Sequence, residues 1–175
     1  MNFSLNKSIQ ILERTPIVLE ALLSDISDDW IFANEGENTF SPFDVVGHLV
    51  HGEKTDWVPR LEIILSKHSD KTFIPYDRFA QTEDSKGKTM DQLLEEFKRL
   101  RSASLSTLRS KMLTEKDFSK TGVHPKLGTV SLSQLLSTWT IHDLSHLAQI
   151  SRIMCKHYSD DVGPWIEFLP ILTRH

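Results

Sequence analysis

A long, strongly apolar helical pattern near the carboxyl end is the feature that most constrains the fold of this chain. It opens at Ser131, with Gln134 three residues later in the spacing of a capping box, and runs to about His157. Its apolar residues recur at helical intervals: Leu132, Leu135, Trp139, Ile150 and Ile153. Because a helix with such a stripe must bury it against other elements, the rest of the chain is expected to supply partner helices.

Three earlier segments have the same periodicity. They predict helices over residues 5–27, 41–67 and 89–111. Pro16 lies within the first segment and Pro59 within the second, and a proline inside a helix removes a backbone hydrogen bond. We therefore expect a kink at Pro16 and a bend near residue 55 or 56 of the second helix.

Four helices predict an all-α fold, a four-helix bundle, within a single domain spanning residues 1–175. The polar, aperiodic stretches 69–88 and 113–130 are expected to form long loops between helices 2 and 3 and between helices 3 and 4. No alternating pattern predicts a strand. The apolar residues of 165–172 predict a short C-terminal helix that packs back on the bundle.

Composition excludes several classes of function. The net charge of −4 argues against a nucleic-acid surface, and the one basic cluster, Lys98 to Arg101, lies beside acidic residues and is interpreted as a solvated helix face. The chain has neither a long apolar run nor an export signal, which predicts no membrane span. The single cysteine, Cys155, rules out an internal disulfide and suits a cytoplasmic location.

A pair of histidines lies inside the last predicted helix. His142 and His146 are four residues apart, so both imidazoles leave the same side of the helix, with Cβ atoms roughly 5–6 Å apart. Such a pair can supply two ligands to one metal ion. Two ligands do not complete a site, so the pair taken alone leaves metal binding and chance spacing equally open.

His48 is the strongest candidate for a third ligand. It has apolar neighbours on both sides in helix 2, whereas His51 is flanked by polar residues and His124 lies in a loop before a proline. Taken alone, His48 is also explained as a hydrogen-bonded interior histidine. Combined with His142 and His146, it gives three imidazoles with open coordination positions, the pattern of a catalytic rather than a structural metal site.

Two ordered segments resemble a known family. Residues 41–49 (SPFDVVGHL) and 142–150 (HDLSHLAQI), with 122–128 (GVHPKLG) between them, are similar to the DinB/YfiT-like metalloenzyme family. The similarity covers nearly the whole chain, and the ordered pair of motifs is far more specific than either alone. One departure is Phe40, which stands where a tryptophan commonly precedes the capping serine.

The resemblance implies a four-helix bundle, often dimeric, that holds one divalent metal on His48, His142 and His146. Zinc or nickel is the expected metal, with iron or another ion as alternatives. Characterised relatives include transferases and isomerases in which the metal activates a low-molecular-weight thiol. The expected partners are therefore a small-molecule substrate, such a thiol and a second copy of the chain.

Two polar residues near the histidine pair have alternative interpretations. Asp143 could act as a general base, as the glutamate does in zincins, but a structural hydrogen bond to a neighbouring helix or to a histidine is the favoured interpretation. Gln149 could line the metal cavity or lie at a partly hydrated surface. Trp57 and Trp139 lie on apolar stripes and are predicted to belong to the core.

Three functional hypotheses follow. The leading one is a metal-dependent enzyme, either a thiol S-transferase or a related hydrolase or isomerase. The alternative is a non-catalytic binding or stress-response module whose metal site is structural or vestigial. A third is a purely structural dimeric bundle with a polar histidine cluster.

Overall fold

The computed structural model describes residues 3–77 and 80–173. Its helices, in chain order, are α1 (Leu5–Leu12), α2 (Thr15–Leu23), α3 (Asp28–Ile31), α4 (Pro42–Thr55), α5 (Trp57–Leu65), α6 (Ala80–Ser85), α7 (Met90–Ser110), α8 (Leu132–Lys156) and α9 (Pro170–Thr173). Two short 3₁₀ segments cover Asp117–Ser119 and Gly163–Phe168. The strands β1 (Thr121–His124) and β2 (Gly128–Ser131) form one antiparallel hairpin.

Four helical units make up the bundle: α1–α2, α4–α5, α7 and α8. Within it, α4 packs on both α7 and α8, α2 packs on α7, and α1 packs on α8. The predicted interruptions are present, because α1 ends before Pro16 and α4 gives way to α5 at Asp56. The prediction of an all-α four-helix bundle is confirmed.

Local capping explains why the three long units begin where they do. In each, the N-cap side chain accepts from the backbone of the third helical residue, whose own side chain accepts in return from the N-cap backbone. The pairs are Ser41 with Asp44, Thr89 with Gln92, and Ser131 with Gln134. The registers of α4, α7 and α8 are therefore set by local sequence.

The core forms two clusters along the bundle. One is built around α4 and α7 and includes Val46, Phe97 and Ile150. The other lies where α5 and the first half of α8 meet and includes Trp57 and Trp139. Their indole rings stack at 5.7 Å with an interplanar angle of 9°, which confirms the prediction that both belong to the core.

The connection expected to be irregular over 113–130 contains the β-hairpin, so the prediction of no strand was wrong. Each strand has only four residues, too few for an alternating pattern to be recognised. Gly122 lets β1 approach the core, because a Cβ there would lie 2.5 Å from Phe73. The backbone of Phe73 also donates to Val123, which ties the hairpin to the preceding connection.

Two further differences concern the connection over residues 69–88 and the C-terminal tail. The connection 69–88 contains the short helix α6, which the sequence did not predict. In the tail, α9 contacts α8, but Trp165 and Phe168 are 71% and 73% exposed, so the predicted packing is wrong for these two residues. None of the helices within the described ranges is long and apolar enough to cross a membrane.

Candidate metal centre

Two helices bring three histidines together. His48 lies on α4, while His142 and His146 lie one turn apart on α8. Their Nε2 atoms are separated by 3.0 Å between His48 and His142 and by 3.1 Å between His142 and His146. Each residue offers one nitrogen, and these nitrogens all lie within 4.8 Å of one another. The fold therefore gathers the three predicted ligands into one cluster.

Buried neighbours fix the helices on which the histidines lie. Around His48, the side chains of Val45 and Leu49 are buried in the bundle. On α8, Trp139 and Ile150 are fully buried before and after the histidine pair. The backbone positions of the three imidazoles are therefore set by core packing rather than by a loop.

Oxygen atoms orient two of the three rings. The Nδ1 of His48 lies 2.9 Å from Oε1 of Gln81 and 3.0 Å from the Tyr76 hydroxyl, and the Nδ1 of His146 lies 2.8 Å from Oε1 of Gln149. Because an amide oxygen only accepts, each Nδ1 carries the proton and donates. In a neutral ring that is protonated at Nδ1, Nε2 carries the lone pair, which is the tautomer that a metal ligand at Nε2 requires. Gln149 thus contacts a candidate ligand directly.

His142 lies between the other two imidazoles, and its Nδ1 is buried without a hydrogen-bond partner among residues 3–77 and 80–173. Burial, followed by the neighbouring His146 and His48, lowers the pKa of His142 to about 3. Burial also lowers the pKa of His146. Both rings are therefore neutral at pH 7 and can donate lone pairs. Three converging imidazoles are a donor set that fits a divalent transition metal.

The helix that supports His48 was not predicted from the sequence. Gln81 and Asp84 are three residues apart on α6, and they face His48 and His51, which are three apart on α4. The Nδ1 of His51 lies 3.2 Å from Oδ2 of Asp84. His51 is only 5% exposed, although its polar neighbours gave no sign of burial. The equal spacing of His48 and His51 and of Gln81 and Asp84 is the one sequence signal that could have indicated this pairing.

A buried ion network lies next to the histidines and corrects one prediction. The basic cluster was assigned to a solvated face, and Lys98 and Arg99 are exposed, but Arg101 is only 1% exposed. Its Nε and Nη2 donate to Oε1 of Glu53 at 3.0 and 2.9 Å, and its Nη1 donates to the Leu12 carbonyl at 2.9 Å. Arg101 therefore lies on the side of α7 that packs into the bundle. The basic residues around it gave no sign of this burial.

Asp143 completes this network. It is fully buried, and its two carboxylate oxygens accept from Nη1 and Nη2 of Arg101. The indole Nε1 of Trp139 donates to Glu53 at 3.1 Å. The network therefore joins α1, α4, α7 and α8. Asp143 makes the hydrogen bond to a neighbouring helix that the favoured interpretation expected, and both of its oxygens are engaged away from the histidine cluster.

A cavity of about 220 Å³ lies beside the cluster, with His48 and His142 in its wall. The edge of the Trp57 ring faces His142 at 5.1 Å between ring centroids. Among the described residues, no other histidine, cysteine or carboxylate joins the three histidines in a group that could hold a metal. The arrangement thus combines a donor cluster with adjoining space for a small molecule.

Fold and site together define a four-helix bundle with a three-histidine cluster between its second and fourth helical units. The chain belongs to the DinB superfamily, whose family model matches residues 11–150. This membership confirms the family resemblance.

Solved structures support the same fold. YfiT from Bacillus subtilis, described as a probable metal-dependent hydrolase with an unusual four-helix bundle topology, matches with a TM-score of 0.75 and 24% identity over 87% of each chain. TT2238, described as a four-helix bundle protein, matches with a TM-score of 0.57 and 18% identity over 85% of this chain and 98% of its own. A comparison with curated proteins finds no match.

Proposed function

We propose that this chain is a metal-dependent enzyme in which His48, His142 and His146 hold one divalent transition metal. The observation that carries the proposal is the convergence of three imidazole nitrogens from two helices. Glutamine oxygens accept from Nδ1 of two of the rings, which supports the tautomer with its lone pair on Nε2. The description of YfiT as a probable metal-dependent hydrolase is consistent with the same chemistry.

Zinc and nickel are the proposed metals, with iron as another candidate, because imidazole ligands suit all three. When bound, such a metal supplies Lewis acidity and lowers the pKa of a water or thiol that binds to it. The protein's own part is to hold the three imidazoles in place, to keep His142 neutral and to provide the adjoining cavity.

The proposed reaction is attack of a small nucleophile on an electrophilic small molecule. Water as the nucleophile gives a hydrolase, and a low-molecular-weight thiol gives a thiol S-transferase or a thiol-dependent isomerase. We favour an enzyme over a structural or vestigial metal site because the described residues supply three protein ligands rather than four and leave space beside them. The cytoplasmic location and the homodimer remain proposals that rest on the single cysteine and on the family resemblance.

A metal-restored activity screen tests the proposal. Protein stripped with a chelator and reloaded with zinc or nickel is assayed with 4-nitrophenyl acetate for hydrolysis, and with 1-chloro-2,4-dinitrobenzene plus cysteine or glutathione for thiol transfer. Turnover should require the metal and should be lost in His142→Ala. The exposed His68 provides the matched control, His68→Ala, which should keep full activity.

Two outcomes would overturn the proposal. Equal turnover by the wild type and His142→Ala would place the chemistry elsewhere. A protein that holds the metal but turns over none of these substrates, with any of the thiols, would favour the non-catalytic binding module instead.

A further inference from the structure

The cavity beside the three histidines is also lined by polar side chains other than the proposed ligands. Arg60 lies on α5, Tyr76 on the connection that precedes α6, and His124 at the end of β1. These three side chains come from separate parts of the chain and line the same space as His48. A molecule in the cavity would therefore lie within reach of these polar side chains and of His48 and His142, two of the proposed metal ligands.

Arg60 is held in place by two contacts that leave its outer nitrogens available. Its Nε forms an ion pair with Asp56, one turn earlier. Its guanidinium carbon lies 5.3 Å from the centre of the Phe73 ring, and Phe73 is fully buried. Within the described part of the chain, no acceptor receives a hydrogen bond from either Nη of Arg60. The guanidinium is thus preoriented, with two parallel donors free to bind an acceptor group.

His124 contributes a further donor through a defined tautomer. Its Nδ1 accepts from the backbone nitrogens of Lys126 at 3.1 Å and Leu127 at 3.2 Å, within the turn of the hairpin. A neutral imidazole that accepts at Nδ1 carries its proton on Nε2. Burial, followed by the nearby charge of Arg60, lowers the pKa of His124, so this ring is neutral at pH 7. The hairpin that the sequence did not predict therefore presents an Nε2–H group at the cavity.

The balance of donors and acceptors points to an anionic ligand. Asp56 is the one carboxylate in the cavity wall as the described residues form it, and it is already paired with Arg60. The indole of Trp57 adds an apolar surface to the cavity and packs against His142. A single guanidinium, partly neutralised by Asp56, suits one negative charge better than two. The volume of about 220 Å³ lies below the ~300–1,000 Å³ of pockets for drug-sized ligands.

We propose that Arg60 and His124 bind the carboxylate of a small substrate, and that Trp57 directs the rest of that molecule toward the three histidines. This inference deepens the proposed function, and it rests on that function only in treating the bound carboxylate as a substrate. The carboxylate site itself depends only on Arg60, His124 and their fixed partners. It can therefore be tested with and without metal.

The test is a titration of the ¹⁵N-labelled protein, residues 1–175, with butyrate and with butyramide, which has the same shape without the charge. It is followed by NMR, once on protein as purified with its metal content measured and once after chelator treatment. Butyrate should shift signals of residues 57–60 and 121–124 in both samples, and butyramide should bind at least about tenfold more weakly. Equal affinities of the wild-type protein for butyrate and butyramide would overturn the proposal.

Variants locate the binding group. Arg60→Gln should weaken butyrate binding at least about tenfold, and Arg60→Lys should restore part of the loss, because it keeps the charge without the planar fork. Arg109→Gln is the matched control, because Arg109 is half-exposed and paired with Glu13 on the surface. Unchanged affinity in a folded Arg60→Gln would overturn the assignment, as would tighter binding of inorganic phosphate than of butyrate.

The same titration separates this inference from the proposed function. Butyrate that binds only when metal is present, regardless of Arg60, would overturn the carboxylate site and support the metal. Arg60-dependent binding in a protein that never takes up metal would support the carboxylate site and overturn the proposed function.

Discussion

Arg101 of α7 donates to both carboxylate oxygens of Asp143 on α8, from Nη1 at 2.5 Å and from Nη2 at 3.0 Å. Asp143 directly follows His142, so its side chain leaves the helix about 100° away from that of the histidine. Holding Asp143 against α7 therefore fixes the rotation of α8 that turns His142 and His146 toward α4. The ion network and the histidine cluster are two consequences of one helix orientation.

Removing Asp143 should destabilise the protein strongly. Asp143→Ala leaves the buried Arg101 with one carboxylate partner instead of two, and breaking a buried pair in this way costs about 3–5 kcal/mol. Urea denaturation measures the free energy of unfolding. Glu13→Ala, which breaks the exposed pair with Arg109, is the control and should cost no more than about 1 kcal/mol. Equal losses in the two variants would show that the network does not anchor α8.

Gln81 should matter for metal affinity more than for stability. Gln81→Ala removes the acceptor that orients the His48 ring, a kind of change that typically costs about 10–100-fold in metal affinity. Competition with a chromogenic zinc chelator measures this affinity. Thr82→Ala, on the exposed side of the same helix, is the control and should bind zinc as the wild type does. Wild-type affinity in a folded Gln81→Ala would contradict the orienting role.

Acid should destabilise the metal-free protein through His142. Its folded pKa of about 3 lies below the ordinary histidine value of 6.5, so between these pH values the unfolded chain binds a proton that the folded chain does not. The free energy of unfolding is therefore not reduced by this group above about pH 6.5. It falls as the pH is lowered toward 3, by up to about 1.4 kcal/mol per pH unit for one group. Urea denaturation from pH 7 to pH 5 should show a smaller loss for His142→Gln than for the wild type. Parallel curves would contradict the lowered pKa, and His68→Gln should follow the wild type.

Gly122 should not tolerate a side chain. The Cβ of Gly122→Ala would lie 2.5 and 2.8 Å from ring atoms of the buried Phe73 and 3.0 Å from Ile64, so β1 has to move outward. Overpacking of this kind costs about 1–3 kcal/mol in thermal or urea denaturation. Thr121→Ala, at an exposed position of the same strand, is the control. A neutral Gly122→Ala would show that the hairpin is not packed tightly on the core.

The sequence predicted those parts of the fold that local chemistry determines. Capping residues such as Ser41 and Ser131 and a helical apolar period act within one segment, so the helix starts and the facing of His142 and His146 can be inferred without the tertiary structure. The kink at Pro16 follows from the missing amide in the same way. From these local features the sequence predicts that His48, His142 and His146 lie inside one helical bundle.

The remaining features depend on contacts between distant segments. Arg101 is buried only because Glu53 and Asp143 meet it from two other helices, and within its own helix it resembles any basic surface residue. Gln81 reaches His48 across a polar connection that has no helical period of its own. The hairpin that carries His124 is held by β1–β2 pairing and by Phe73, neither of which a four-residue pattern reveals.

The metal content of the purified protein is the most direct test of metal binding by His48, His142 and His146. Untagged protein is titrated with zinc or nickel, dialysed and measured by elemental analysis, beside the His48→Ala, His142→Ala and His68→Ala variants. We expect one metal ion per chain in the wild type and in His68→Ala, and a loss of bound metal in the other two variants. No uptake by the folded wild type, or full uptake by His142→Ala, would contradict this expectation.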